Sequence, residues 1–77
     1  MKKLTQAVFD DAPDWVKSAA VDSDGEANLF ESNKDTLRCR QYGGFWSKGV
    51  AGTRRKVVGL DYDTTDWENS AIDREYK

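Results

Sequence analysis

Eleven residues, VDSDGEANLFE (Val21–Glu31), decide how this chain is read. They read first as a hairpin. Asp24-Gly25 lies between the short runs "SAAVD" and "EANLFE", and glycine accepts the positive φ that tight turns require. They read second as a nearly complete calcium loop. With Ala20 at position 1 of the twelve-residue EF-hand pattern, Asp22 falls at position 3, Asp24 at 5, Gly25 at 6, Asn28 at 9 and Glu31 at 12. An EF-hand also needs a helix on each side and a ligand oxygen at position 1. Ala20 offers no side-chain oxygen, and the following "SNKDTLRCRQY" reads as turn and strand. The hairpin is therefore the preferred reading. It calls for no metal and no other cofactor, and calcium is expected to leave the melting temperature unchanged.

Upstream of the hairpin, Ala12, Trp15, Val16, Ala19 and Ala20 recur at helical spacing. Asp11 can cap such a helix and Pro13 is tolerated in its first turn. A helix over about residues 12–17, reaching 20 at most, competes with a strand that starts at Ser18; a helical turn leading into the hairpin reconciles the two. Downstream, "TLRCRQY" alternates, with Leu37 and Cys39 on one face and Arg38, Arg40 and Tyr42 on the other, as in a half-buried strand. "GGFWSKGVAGT" (Gly43–Thr53) holds four glycines and reads as a loop that displays Phe45 and Trp46. "RRKVVGLDY" supplies a further strand through Val57, Val58 and Leu60. Thr65 and Glu68 match the S/T-x-x-E capping box and predict a helix over about residues 66–75, with Trp67 and Ala71 on one face. At that length it must dock on something to persist. The expected fold is α+β: a single domain over residues 1–77, with a small antiparallel sheet of three to four strands and a short C-terminal helix packed on one face.

Seventy-seven residues bury a modest core, and the usual reinforcements are missing. A lone cysteine, Cys39, cannot form an internal disulfide, and without histidine a zinc site is not expected. Three tryptophans, three tyrosines and three phenylalanines must then supply most of the apolar mass. Self-association as a homo-oligomer is a common remedy for so small a core. The single thiol suits a reducing, cytoplasmic setting. Met1-Lys2-Lys3 is followed by no apolar run of signal-peptide length, and no stretch is long enough for a membrane span, so no membrane partner is expected.

The net charge of −2 conceals three blocks. Residues 10–31 carry seven acids and one lysine, residues 37–56 carry six bases and no acid, and residues 61–77 carry six acids and two bases. Such blocks pair within a fold or present one basic face to a partner. Catalysis is not expected: there is no histidine for acid–base work or for activating Cys39, and the glycines match no phosphate-loop spacing. The candidate surface is the basic, aromatic middle: Arg38, Arg40, Tyr42, Phe45, Trp46, Lys48, Arg54 and Arg55, with Lys56 beside them. Aromatic and arginine side chains make protein hot spots, and they also make single-strand binding sites. Trp46 is either an exposed anchor or a core residue. The glycines around it favour exposure.

At "APDWVKSAAVDSDGEANLF" and "GLDYDTTDWENSAIDRE", together nearly half the chain, the sequence resembles a group of small accessory proteins of tailed bacteriophages. The shared pattern is A-P-x-W, A-V-D-x-D-G-E and an ending close to Y-D-x-T-D-W-x-x-S-x-I-x-R-E. It is carried here by Ala12, Pro13, Trp15, Ala20 to Asp22, Asp24 to Glu26, Tyr62, Asp63, Thr65 to Trp67, Ser70, Ile72, Arg74 and Glu75. The resemblance implies a phage-encoded, non-enzymatic protein in the cytoplasm of the infected host. It would bind and inhibit or modulate a host bacterial protein such as a defence effector, nuclease or polymerase. The matching residues suit structural roles, Trp15 and Trp67 as core, Asp24-Gly25 as turn, Thr65 and Glu68 as cap. Residues 33–56 depart from the pattern and are the expected seat of partner specificity. A nucleic-acid or anionic-ligand binder using the basic, aromatic strip over residues 38–56 is the alternative.

Overall fold

The computed structural model describes residues 2–75. Among the described residues six strands form: β1 (Ser18–Val21), β2 (Ala27–Phe30), β3 (Arg38–Arg40), β4 (Phe45–Ser47), β5 (Arg55–Gly59) and β6 (Ile72–Asp73). Strands β5-β2-β1-β6 make an antiparallel sheet in that order, and β3-β4 make a separate antiparallel hairpin. The helical content of the described residues is three 3₁₀ turns, Gln6–Phe9, Lys34–Thr36 and Trp67–Asn69.

The hairpin reading of Val21–Glu31 holds. Ser18, Ala19, Ala20 and Val21 pair with Phe30, Leu29, Asn28 and Ala27. Beyond that ladder Asp22 N–H donates to Glu26 O at 2.8 Å, leaving Ser23–Gly25 as a three-residue loop. Gly25 has φ +90°, and a Cβ there would stand 3.0 Å from Leu60 O and 3.1 Å from Tyr62 O. Both the turn and the close passage of residues 60–62 therefore require glycine.

Every residue of β1 and β2 is buried. A strand exposes alternate side chains to opposite faces, so this pair must be covered on both. Ala19 and Leu29 face one core with Phe9 and Val16, flanked by Leu4, Val8, Ala12, Trp15, Val58 and Ile72. Ala20 and Phe30 face a second core with Leu37 and Trp46, flanked by Cys39, Trp67 and Ala71. The sheet is thus the middle layer, with the N-terminal segment on one face and the β3–β4 hairpin on the other. Alanines at the centre of β1 let both layers approach closely.

Three expectations are corrected. The helix over residues 66–75 does not form. Thr65 gives its N–H and hydroxyl to Asp63 Oδ1, at 2.8 and 2.6 Å, and leaves the predicted cap unmade. Ser70 Oγ instead accepts Val21 N–H at 2.9 Å, so the chain is drawn onto the edge of β1, where Ile72–Asp73 pairs with Ala19–Ser18. Asp, Asn and Ser compete with helix through such local bonds. The helix over residues 12–17 reduces to one turn closed by Val16 N–H on Pro13 O at 3.1 Å. Lys17 N–H already donates to Phe30 O at 2.8 Å, so the strand ladder begins where a helix would need to continue. The helical stripe was real as a packing signal, since Ala12, Trp15, Val16 and Ala19 share one core; Ala20 faces the other because strand alternation has taken over. Lastly, the loop expected over residues 43–53 contains β4, paired as Arg38↔Ser47, Cys39↔Trp46 and Arg40↔Phe45.

Trp46 is only 8% exposed, contrary to the display expected from its glycine-rich surroundings. Trp46→Ala should cost about 3–5 kcal/mol in equilibrium denaturation, as for large aromatic truncations in a core. Trp15→Ala and Trp67→Ala, at half-buried positions, should each cost less. A Trp46→Ala chain as stable as the parent would refute this account of the second core.

Candidate interaction surface

The β3–β4 hairpin sorts its side chains by strand alternation. Cys39 and Trp46, opposite one another, face the sheet; Arg38, Arg40, Phe45 and Ser47 face away. Trp46 is held at both ends. Its ring Nε1–H donates to Trp67 O at 2.9 Å and its backbone N–H to Asp22 Oδ1 at 2.7 Å. The tip is closed by Gly44 N–H on Arg40 O at 2.8 Å. Gly44 has φ +72°, and a Cβ there would lie 2.3 Å from Ser23 Oγ. Ser23 N–H donates to Gly44 O at 2.9 Å, so the two hairpin tips are bonded to each other.

The outer surface that results is aromatic and basic. Tyr42 is fully exposed, Phe45 is 40% exposed, and Arg38 and Arg40 are exposed beside them. Cys39, Arg40, Gln41, Tyr42, Gly43 and Phe45 line a shallow depression at the tip. Gln41, which the sequence did not single out, donates from Nε2 to Glu68 and ties the tip to the turn at Trp67–Asn69.

The eight residues singled out from sequence therefore separate. Arg38, Arg40, Tyr42 and Phe45 come together on the hairpin. Trp46 is taken into the core. Lys48 folds back on its own loop, with Nζ donating to Thr53 O at 2.7 Å. Arg54 pairs with Glu31, Nη2 to Oε2 at 2.9 Å, and its guanidinium lies 4.6 Å from the Trp15 ring centre. Arg55 is exposed on β5 opposite Phe30. Val57 and Leu60, both expected within one strand, are exposed apolar residues, and Leu60 lies just past the end of β5. No signal in an apolar run distinguishes a central strand from the edge strand that β5 is.

The ionisable groups nearby are tuned by burial and by hydrogen bonds. Burial, then the charges of Glu68 and Asp22, push the Cys39 thiol upward, which keeps it protonated at neutral pH. Hydrogen bonds from Arg54 hold Glu31 below its ordinary value, and those from Thr65 do the same for Asp63. Burial raises Asp22; the Trp46 N–H opposes that rise, Glu26 and Asp24 add to it, and Arg55 opposes it. No family model, no curated protein and no solved structure matches this chain.

These shifts act on stability with opposite signs. The folded state binds the Asp22 proton more tightly than the unfolded chain does, so its contribution is present at low pH. That contribution is lost as pH rises through the raised value. The contributions of Glu31 and Asp63 are present above the ordinary carboxylate range and are lost as pH falls through their lowered values. Asp22→Asn keeps an acceptor for the Trp46 N–H and removes the charge. The parent should lose stability relative to Asp22→Asn as pH rises from the ordinary carboxylate range, about pH 4, through the raised Asp22 value. Denaturation curves that stay parallel across that interval would contradict the assignment.

Proposed function

We propose that this chain is a non-enzymatic binding protein that contacts a partner protein through the outer face of the β3–β4 hairpin. The observation that carries this reading is the hairpin's division of labour. Trp46 anchors its inner face in the core, while Tyr42, Phe45, Arg38 and Arg40 stand outward on a backbone fixed at Asp22, Ser23 and Trp67. Hot spots favour tyrosine and arginine on rigid supports, because little side-chain and loop freedom is lost on binding. The protonated Cys39 thiol and the absence of histidine support a role without catalysis. The resemblance to phage accessory proteins supports a bacterial host protein as partner, with inhibition or modulation as the outcome, in the host cytoplasm.

The second reading, a nucleic-acid or anionic-ligand module, is supported by the same exposed Tyr42 and Phe45 rings beside two arginines. It ranks second because Arg54 is committed to Glu31 and Lys48 to its own loop, which removes two cations from the expected strip.

The purified chain immobilised in bacterial lysate should retain a stoichiometric partner, and Tyr42→Ala or Arg40→Ala should release it. Each variant should leave folding stability within about 0.5 kcal/mol of the parent, as surface changes do. Binding to that partner should weaken by about 2 kcal/mol or more at a true hot spot. Retention undiminished in both variants would exclude the hairpin. Oligonucleotide binding that falls steeply with salt would transfer the assignment to the second reading. A dimer in sedimentation that Tyr42→Ala dissolves would make the partner a second copy.

A further inference from the structure

The two edges of the main sheet end differently. At β6 the chain is tied down from outside: Gln6 Nε2 donates to Asp73 O at 2.7 Å, and Lys34 N–H donates to Asp73 Oδ1 at 2.7 Å. At the other edge β5 pairs with β2 alone, and among the described residues no strand lies on its outer side. Arg54 O accepts Glu31 N–H at 3.1 Å, so Arg54 turns its backbone groups toward β2. Inter-strand bonds alternate along an antiparallel strand, so Arg55 and Val57 turn theirs outward. No described backbone bond from outside the sheet reaches either residue.

This open edge has two chemically different sides. Arg55 stands opposite Phe30 and Lys56 opposite Leu29, so the two cations project to opposite faces. Both are exposed, and neither enters the described ion pairs, Lys2–Asp61 and Arg54–Glu31. On the Lys56 face lies an open groove of about 440 Å³, within the range of about 300–1,000 Å³ common for ligand sites. Ala7, Val8, Ala12, Leu29 and Val58 give it an apolar lining, and the charges of Asp11 and Lys56 offset each other there. On the opposite face Arg55 has a weak electrostatic tie to Asp22, and Val57, two residues on, is 43% exposed.

We propose that the β5 edge is a docking site for an extended, acidic segment of a partner protein, which adds antiparallel to β5 and lengthens the four-stranded sheet by one strand. Strand addition takes affinity from main-chain bonds and specificity from alternate side chains. A segment that alternates acidic and apolar residues matches both sides of this edge. Its carboxylates meet Arg55 on one face, and its apolar side chains enter the groove on the other. Basic charge on an edge ordinarily turns further strands away. A strand carrying carboxylates is the exception, because the same cations attract it. The site uses neither Tyr42 nor Phe45, so it stands or falls apart from the hairpin function proposed above.

The probe is a fluorescein-labelled peptide of alternating valine and glutamate, long enough to span β5, read by fluorescence anisotropy in low salt. Binding should saturate, and a valine–lysine peptide should be weaker by about ten-fold or more. Antiparallel pairing opposite Arg55 and Val57 points the glutamate N–H groups at β5 and the valine N–H groups at solvent. N-methylation of the glutamates should therefore weaken binding by about ten-fold or more, while N-methylation of the valines leaves it nearly unchanged. Arg55→Glu should reverse the preference between the two peptides. Val57→Pro removes an outward N–H, which an edge strand tolerates, and should weaken binding as glutamate methylation does. Tyr42→Ala should bind the peptide as the parent does; loss in that variant would move the site to the hairpin and overturn the proposal. Absence of saturable binding, or equal losses from the two methylations, would overturn it as well. A dimer of the parent chain that Val57→Pro dissolves would give the edge to a second copy and overturn the acidic segment.

Discussion

One carboxylate holds the two halves of this small structure together. Asp22 Oδ1, at the end of β1, accepts the backbone N–H of Trp46 at 2.7 Å. That bond fixes where β4 crosses the sheet, and with it the depth to which the Trp46 indole enters the second core. A short strand with only one partner, as β4 is against β3, has little independent stability. Its position must come from contacts outside its own hairpin, and Asp22 is the strongest of these by charge. The Ser23–Gly44 backbone bond and the Trp46–Trp67 bond complete a three-point attachment. Remove the first, and the other two join segments that have no common reference.

This arrangement explains how the described residues hold together without an α-helix or an internal disulfide. A single hairpin, β1–β2, is buried on both faces, so each of its side chains counts toward one core or the other. Small residues in β1 bring both outer layers close, and the large aromatic mass comes from those layers: Phe9 and Trp15 on one side, Trp46 and Trp67 on the other. The edges of the sheet are treated differently. At one edge, β6 is two residues long, and Ser70 extends its pairing with a side chain in place of backbone. At the other, β5 begins with Arg55 and Lys56, charges that discourage a further strand from adding there.

Elements whose evidence was local and alternating were legible in the sequence. Asp24-Gly25 marked the turn, Leu37 and Cys39 marked the inner face of β3, and β5 was visible in Val57 and Val58. The helices were not there to find, because their signals were satisfied in other ways. Thr65, placed to cap a helix, bonds Asp63; Ser70, placed within it, bonds β1; the stripe from Ala12 to Ala19 packs on one core without being helical. In each case a side chain found a tertiary partner, and tertiary context overrides propensity. The candidate surface was half legible. Arg38, Arg40, Tyr42 and Phe45 do stand on one hairpin, but the fate of Trp46 depended on Asp22 and Trp67, 24 and 21 residues away, which no local window contains.

The same long-range bonds bear on how the acidic turn and the aromatic hairpin act together. Asp22 belongs to both: one oxygen faces Trp46 N–H and the other faces Asn28 within the carboxylate group. Adjacent Ser23 donates to Gly44, at the tip that carries Tyr42. A change of charge at the turn is therefore one hydrogen bond from the backbone of β4 and one from the hairpin tip. Loops without such anchors lose much of their affinity to the ordering that binding imposes. Here the ordering is already supplied by a carboxylate whose own burial and like-charged neighbours oppose its ionisation. The rigidity of the outward face therefore depends on a carboxylate at the turn of the neighbouring hairpin.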